Sequence, residues 1–208
     1  MAIDPVPLAF DPLSVHVPAC TPRTHSRFGR WFGRTLLRLG GWRMVGAWPD
    51  CRKVVIIVAP HSSGWDGIWG LGAKAGLGLG AEFMGKAELF WGPLGWLLRK
   101  MGGIATDRQD PRGLVGAITA RFAERDTMWL AIAPEGTRRP GVRWKTGFWR
   151  IARAANVPVQ CVAFDYPAKA IVVGPLLHLS DDMNADLDRI AAVYAPYQGK
   201  KRGANPVR

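Results

Sequence analysis

Residues 54–59 read Val-Val-Ile-Ile-Val-Ala and stop at Pro60. A β-branched run of that length is too short for a buried helix, and its unbroken apolarity marks a strand covered on both faces, as at the centre of a parallel sheet. Parallel strands need helical crossovers, so this stretch narrows the chain to an α/β architecture. His61 follows the strand at once, and Ser62, Ser63 and Gly64 lead to Asp66, which is placed to open the next helix. Ligand sites in such sheets are built at this edge of the strands. The spacing brings an imidazole and a carboxylate together across one loop, and a His held by a carboxylate has its tautomer fixed and its basicity raised. Alone, the pair is equally a His at a strand end and an Asp capping a helix.

The rest of the chain alternates in the same way. Residues 66–79 predict a Gly-rich helix that packs closely on its neighbours, and Glu82–Lys86 a short strand. Residues 88–101 are very apolar and broken by Gly92-Pro93: a core helix, the wall of a fatty chain's slot, or a rim dipping into lipid. A short strand from Gly103 ends in the cation Arg108. Then follow a helix over 111–125, a buried strand over 127–133, a helix over 146–155, strands over 157–164 and 170–173, and a helix over 182–198. This predicts a single α/β domain with a mainly parallel central sheet flanked by helices. Residues 1–26, with five prolines and no periodicity, are expected to be an extended or disordered leader, 27–198 the domain, and 199–208 a basic polar tail.

Over residues 27–45, at 100° per residue, Arg27, Arg30, Arg34 and Arg38 share one arc while Phe28, Trp31, Phe32, Leu36 and Leu39 share another. The pattern is a basic amphipathic helix, suited to an anionic membrane surface; the alternative is an ordinary surface helix with its apolar side on the domain. The whole chain favours anionic partners, with 28 Lys and Arg against 16 acids, a net +12, and its 10 Trp suit a water–lipid boundary. No signal peptide is visible, and the longest charge-free stretch, Val54–Trp65, is 12 residues against about 20 for a spanning helix. Cys20, Cys51 and Cys161 are scattered and in no metal-ligand spacing, which points to reduced thiols, a cytosolic setting and no metal.

Three loops at predicted strand ends carry complementary groups: His61 with Asp66, Arg108, and Glu135-Gly136-Thr137-Arg138. Together these blocks resemble the glycerolipid acyltransferases, which include bacterial lysophosphatidate acyltransferases. The family's His-x4-Asp motif is matched by His61 and Asp66, and its Gly-Ile-x-x-Asp-Arg block by Gly103-Ile-Ala-Thr-Asp107-Arg108. Its Phe-Pro-Glu-Gly-Thr-Arg block is matched from Pro134 to Arg138, with Ala133 in place of Phe, and Lys145-Thr-Gly147 and Val157-Pro158-Val159 follow in order. Pro60 stands where the family often has Asn. The N-terminal membrane helices common among members are replaced by the Arg/aromatic stretch 27–45, which implies peripheral attachment to the inner, cytoplasmic face of the membrane.

The resemblance implies transfer of an acyl group from a thioester, acyl-CoA or acyl carrier protein, to the hydroxyl of a lysophospholipid, with no cofactor, no metal and no nucleic-acid partner. His61 would be the general base and Asp66 its orienting partner. Arg108 and Arg138 resemble the family's phosphate-binding arginines; Glu135 would bond an acceptor hydroxyl or hold the arginine loop, Gly136 and Thr137 form a tight turn, and Lys86 and Lys145 contact phosphate. Ser62 and Ser63 read as loop or capping residues. Other acceptors, a glycolipid or an amino-acid lipid, fit the same motifs. A non-enzymatic basic module binding membrane or nucleic acid accounts for the charge but not for His61, Asp66 and the Glu135 block. The two-His signature of condensation domains has three residues before its Asp, not four, and a metal hydrolase would want more His than this.

Overall fold

The strand expected at 54–59 is β2, Lys53–Ala59, the middle strand of a seven-stranded sheet in the computed structural model, which describes residues 11–106, 111–136 and 144–201. β2 pairs in parallel with β5 (Met128–Ile132) on one side and β6 (Val159–Asp165) on the other. Beyond β5 lie β3 (Glu82–Lys86) and β4 (Gly103–Thr106), both in parallel. Beyond β6 the direction reverses: β7 (Ala170–Leu177) is antiparallel to β6, and β1 (Arg43–Gly46) runs parallel to β7. The sheet is mainly parallel, as expected, with its reversed pair at one edge.

Period-two alternation divides the strands between two cores. Val54 and Ile56 join Trp129, Phe164, Leu37 and Leu77 on one face; Val55, Ile57 and Ala59 join Ile118, Phe148, Ile151 and Tyr194 on the other. The first face is covered by α1 (Arg27–Gly40) and α2 (Gly64–Leu77), the second by α4 (Pro111–Glu124), α5 (Gly147–Ala154) and α6 (Met183–Tyr194). A 3-10 turn, Ala87–Phe90, and α3 (Gly92–Lys100) carry β3 to β4. Phe83 pairs with Ala131 of the first face, and two residues on, a Cβ at Gly85 would meet the Phe90 ring at 3.0 Å. The turn and α3 therefore share a layer with α1 and α2, as right-handed crossovers require.

α1 and α2 touch through glycine. A Cβ at Gly33 would stand 2.3 Å from the Gly72 carbonyl oxygen and 2.4 Å from the Gly76 nitrogen, and Gly40 lies against Trp69. This backbone contact is what the Gly-rich stretch of α2 provides. It also sets which way α1 faces. Gly33 and Leu37 are buried and Leu36 lies against Gly72, while Phe28, Trp31, Phe32 and Leu39 all stand exposed, so most of the apolar arc of α1 points away from the domain and only Leu36 at its border packs on it.

Several boundaries differ from expectation. The helix expected over 27–45 stops at Gly40, because Gly41 takes a left-handed φ of 70° and Trp42 N–H turns back to the Leu37 carbonyl; Arg43–Gly46 then forms β1. Extended Trp91 and Gly92 at φ 61° split 88–101 into the 3-10 turn and α3. α2 begins two residues early because Ser63 caps it, β7 runs on to Leu177, and α6 ends at Tyr194. Residues 11–26, expected as a loose leader, are extended but packed: Leu13 is buried in the first core, and the Thr24 and Gly80 amides bond across to Gly78 and Pro22.

Helix contact through glycine makes a sharp prediction. Gly33→Ala must displace backbone and should lower unfolding free energy by about 1–3 kcal/mol in urea melts. Gly116→Ala in exposed α4, where a Cβ meets nothing within 4 Å, should instead raise it by about 0.5–1 kcal/mol.

Candidate active site

β2 and β5 are neighbours in register as far as Ile57 and Ile132, so the loops that follow them lie side by side. Ser63 is the N-cap of α2: its Oγ accepts the Trp65 N–H, and Asp66, at the third helical position, accepts the Ser63 N–H at 2.8 Å through Oδ2, a reciprocal capping box. The same Oδ2 lies 3.4 Å from His61 Nδ1, and the Asp66 side chain is 0% exposed. The four-residue spacing is thus the distance from a strand end, through a cap, to the helix position whose carboxylate turns back. The α2 N-terminus favours negative charge there.

The other carboxylate oxygen, Oδ1, accepts a hydrogen bond from Tyr166 Oη. Burial, and then Asp66 itself, raise the Tyr166 phenol well above the usual tyrosine range, so it remains a donor. Its ring meets Trp42 edge-on at 4.9 Å, and Trp42, Trp69 and Trp65 stack in series. Tyr166 was not singled out in the sequence. The signal available is positional: it follows β6, which neighbours β2, so it emerges beside His61. Gln198, the last residue of the expected domain, and Lys200 and Lys201 of the expected tail also contribute. Gln198 O accepts the Tyr166 N–H, Lys201 N–H donates to Ser62 Oγ at 3.3 Å, and Lys200 Nζ lies 4.9 Å over the Trp65 ring. Ser62, 1% exposed, is a structural part of the loop.

Glu135, at the end of β5, is 7% exposed and accepts the His61 N–H at 2.9 Å through Oε1. Holding the His61 loop is a role beyond the two expected of Glu135, bonding an acceptor hydroxyl or holding the arginine loop. Gly136 has φ 59°, and a Cβ there would press on the Lys145 side chain at 3.1 Å; the Lys145 amide donates to the Pro134 carbonyl. Lys86 ends β3 at the same edge of the sheet. His61, Asp66, Gly136, Lys86 and Lys145 line one cavity of about 1410 Å³, whose apolar wall is made by Ile68 and Leu71 of α2, Phe83 of β3, and Leu89, Leu94 and Leu98 opposite. Lys74 lines it farther along α2, its ammonium pKa lowered by burial and supported by Glu82. Arg108, Thr137 and Arg138 lie outside the described residues.

Chemically, the arrangement is an imidazole whose Nδ1 faces a buried, hydrogen-bonded carboxylate, at the head of an apolar cavity with Lys74, Lys86 and Lys145 on its lining. No His/Cys/Asp/Glu cluster of metal-binding size occurs among the described residues. Tyr166→Phe would leave Asp66 Oδ1 without its donor. The expected outcome is a loss of about 1–3 kcal/mol in stability by urea melt, with native circular dichroism retained.

A family model described as Acyltransferase matches residues 48–165. No curated protein matches the chain. Among solved structures, the 1-acyl-sn-glycerophosphate (LPA) acyltransferase PlsC from Thermotoga maritima is similar, with a TM-score of 0.59 and 18% sequence identity, over 80% of this chain and 75% of that one; at that identity the likeness is one of fold. The family match spans more than half of the chain and contains His61, Asp66, Lys86, Glu135 and Lys145, and the chain belongs to the acyltransferase family.

Proposed function

We propose that the protein transfers a fatty acyl group from a thioester donor, acyl-CoA or acyl carrier protein, to the free hydroxyl of a lysophosphatidate-type lysophospholipid. The observation that carries this reading is the pairing of His61 with the buried Asp66 carboxylate at the head of an apolar cavity with Lys86 and Lys145 on its lining. An apolar cavity takes an acyl chain, and ammonium groups near its head take an anionic headgroup. With Nδ1 facing Asp66, base chemistry falls to Nε2. The acceptor O–H gives its proton to Nε2, its oxygen bonds to the thioester carbonyl carbon, and the C–S bond breaks; the thiolate leaves with the proton returned by the imidazolium. A contraction of the 3.4 Å gap to Asp66 accompanies the positive charge on the ring. A thioester is already activated, so no acyl-enzyme is required.

The oxyanion falls to the Gly64 amide. Trp65 N–H is taken by Ser63 Oγ and Asp66 N–H by the Ser63 carbonyl, whereas Gly64 lines the cavity at the positive end of α2. The family motif assigns Arg108 and Arg138 to the acceptor phosphate. The similarity to PlsC, a 1-acyl-sn-glycerophosphate acyltransferase, supports that acceptor class. For α1, the exposed Phe28, Trp31, Phe32 and Leu39 beside four arginines favour peripheral attachment to an anionic membrane, at its cytoplasmic face. No described helix is long and apolar enough to cross one.

The test is thiol release from long-chain acyl-CoA and acyl carrier protein over anionic vesicles, with lysophosphatidate, other lysophospholipids, glycolipid and amino-acid lipid acceptors. Release should depend on lysophosphatidate and fall about 10²–10⁴-fold in His61→Ala. Release that ignores the acceptor, or survives His61→Ala, would sink the reading; a preference for another lipid would move the acceptor but keep the chemistry.

A further inference from the structure

Among the described residues, twelve large apolar side chains stand exposed, and eleven lie on one layer: α1, α2, the 3-10 turn and α3; the twelfth is Val45. The opposite layer, α4 to α6, exposes none of this kind. Five of the eleven belong to one short stretch, Leu89, Trp91, Leu94, Trp96 and Leu97, with Trp91 85% exposed. A side chain that exposed contributes little to packing, and large apolar side chains gathered in one exposed stretch mark a contact surface.

The details of α3 select the partner. It is nine residues long, too short to span a bilayer, and ends in Arg99 and Lys100. Lys100 Nζ lies 4.9 Å over the Trp96 ring and Arg99 lies 5.5 Å from the Phe90 ring centre. Tryptophan backed by cations is the composition of an element lying at headgroup depth, with rings at the lipid boundary and charges among phosphates. The stretch also starts where β3 ends, beside Lys86, and its Leu89, Leu94 and Leu98 line the apolar cavity.

We propose that α3 is a second membrane-docking edge, separate from α1, which seats Trp91 and Trp96 in an anionic lipid bilayer surface. The part of the cavity lined by α2 and α3 then meets the bilayer directly, and an acyl chain passes from lipid to cavity without crossing water. This deepens the acyltransferase reading, but its test reads binding alone, so the two fail separately.

The experiment is flotation of the full chain with vesicles of phosphatidylcholine alone or mixed with phosphatidylglycerol, beside sedimentation velocity without lipid. Trp91→Ser with Trp96→Ser should weaken partition about tenfold on the mixed vesicles. Arg99→Glu with Lys100→Glu, at exposed sites that leave the fold intact, should weaken it by a similar factor on the mixed vesicles and hardly at all on phosphatidylcholine. Trp31→Ser with Phe32→Ser should act independently, its factor multiplying the others. The proposal is overturned if both α3 pairs bind like the parent while the α1 pair abolishes binding. It is equally overturned if the chain is a dimer without lipid that the α3 pairs dissolve with vesicle binding unchanged, which would make this face an interface between copies. Should the tryptophan pair unfold by circular dichroism, the charge-reversal pair decides alone.

Discussion

A carboxylate with no solvent contact must have its charge met by the protein, and the site is arranged around that demand at Asp66. Ser63 N–H, Tyr166 O–H and His61 Nδ1 converge on its two oxygens. Two come from the connection between β2 and α2, and Tyr166 from the turn after β6. Satisfying one buried charge therefore fixes that connection against the end of β6, and a His in such a frame has little freedom to leave its geometry. Glu135 extends the frame to β5 by taking the His61 amide.

The two helical layers have different tasks. α4, α5 and α6 bury one face of the sheet under an ordinary apolar core. The layer opposite holds α2, whose first turn carries Asp66, and, through Gly33, Gly72 and Gly76, lets α1 approach so closely that Phe28, Trp31, Phe32 and Leu39 are left pointing away. Helix contact by backbone has the effect of freeing large side chains for another surface. One layer thus serves stability while the other joins site to surroundings.

The readability of the sequence followed from how locally each feature is determined. β2 was plain because a strand buried on both faces is apolar without interruption, and the His61–Asp66 spacing because strand end, cap and third helical position are consecutive. β1 was hidden because Arg43-Met-Val-Gly is a four-residue edge strand that continues the amphipathic pattern of α1. Pro175 disguised the end of β7: it sits beyond the last residue that pairs with β1, where no amide is needed on that side. The direction in which α1 faces could not be read from periodicity, which reports that a helix has two sides but not which one a glycine contact will occupy. Tyr166 was invisible because its role depends on β6 lying next to β2, a fact of strand order.

Lys201 bonds to Ser62, about two-thirds of the chain upstream, and Gln198 to the nearer Tyr166, so both sides of the His61–Asp66 site take contacts from the last described residues. During synthesis the sheet strands and all six helices precede those contacts. The ribosome therefore releases almost the whole domain before the loop that carries His61 acquires its last hydrogen bonds, so the sheet and its helices must pack without them.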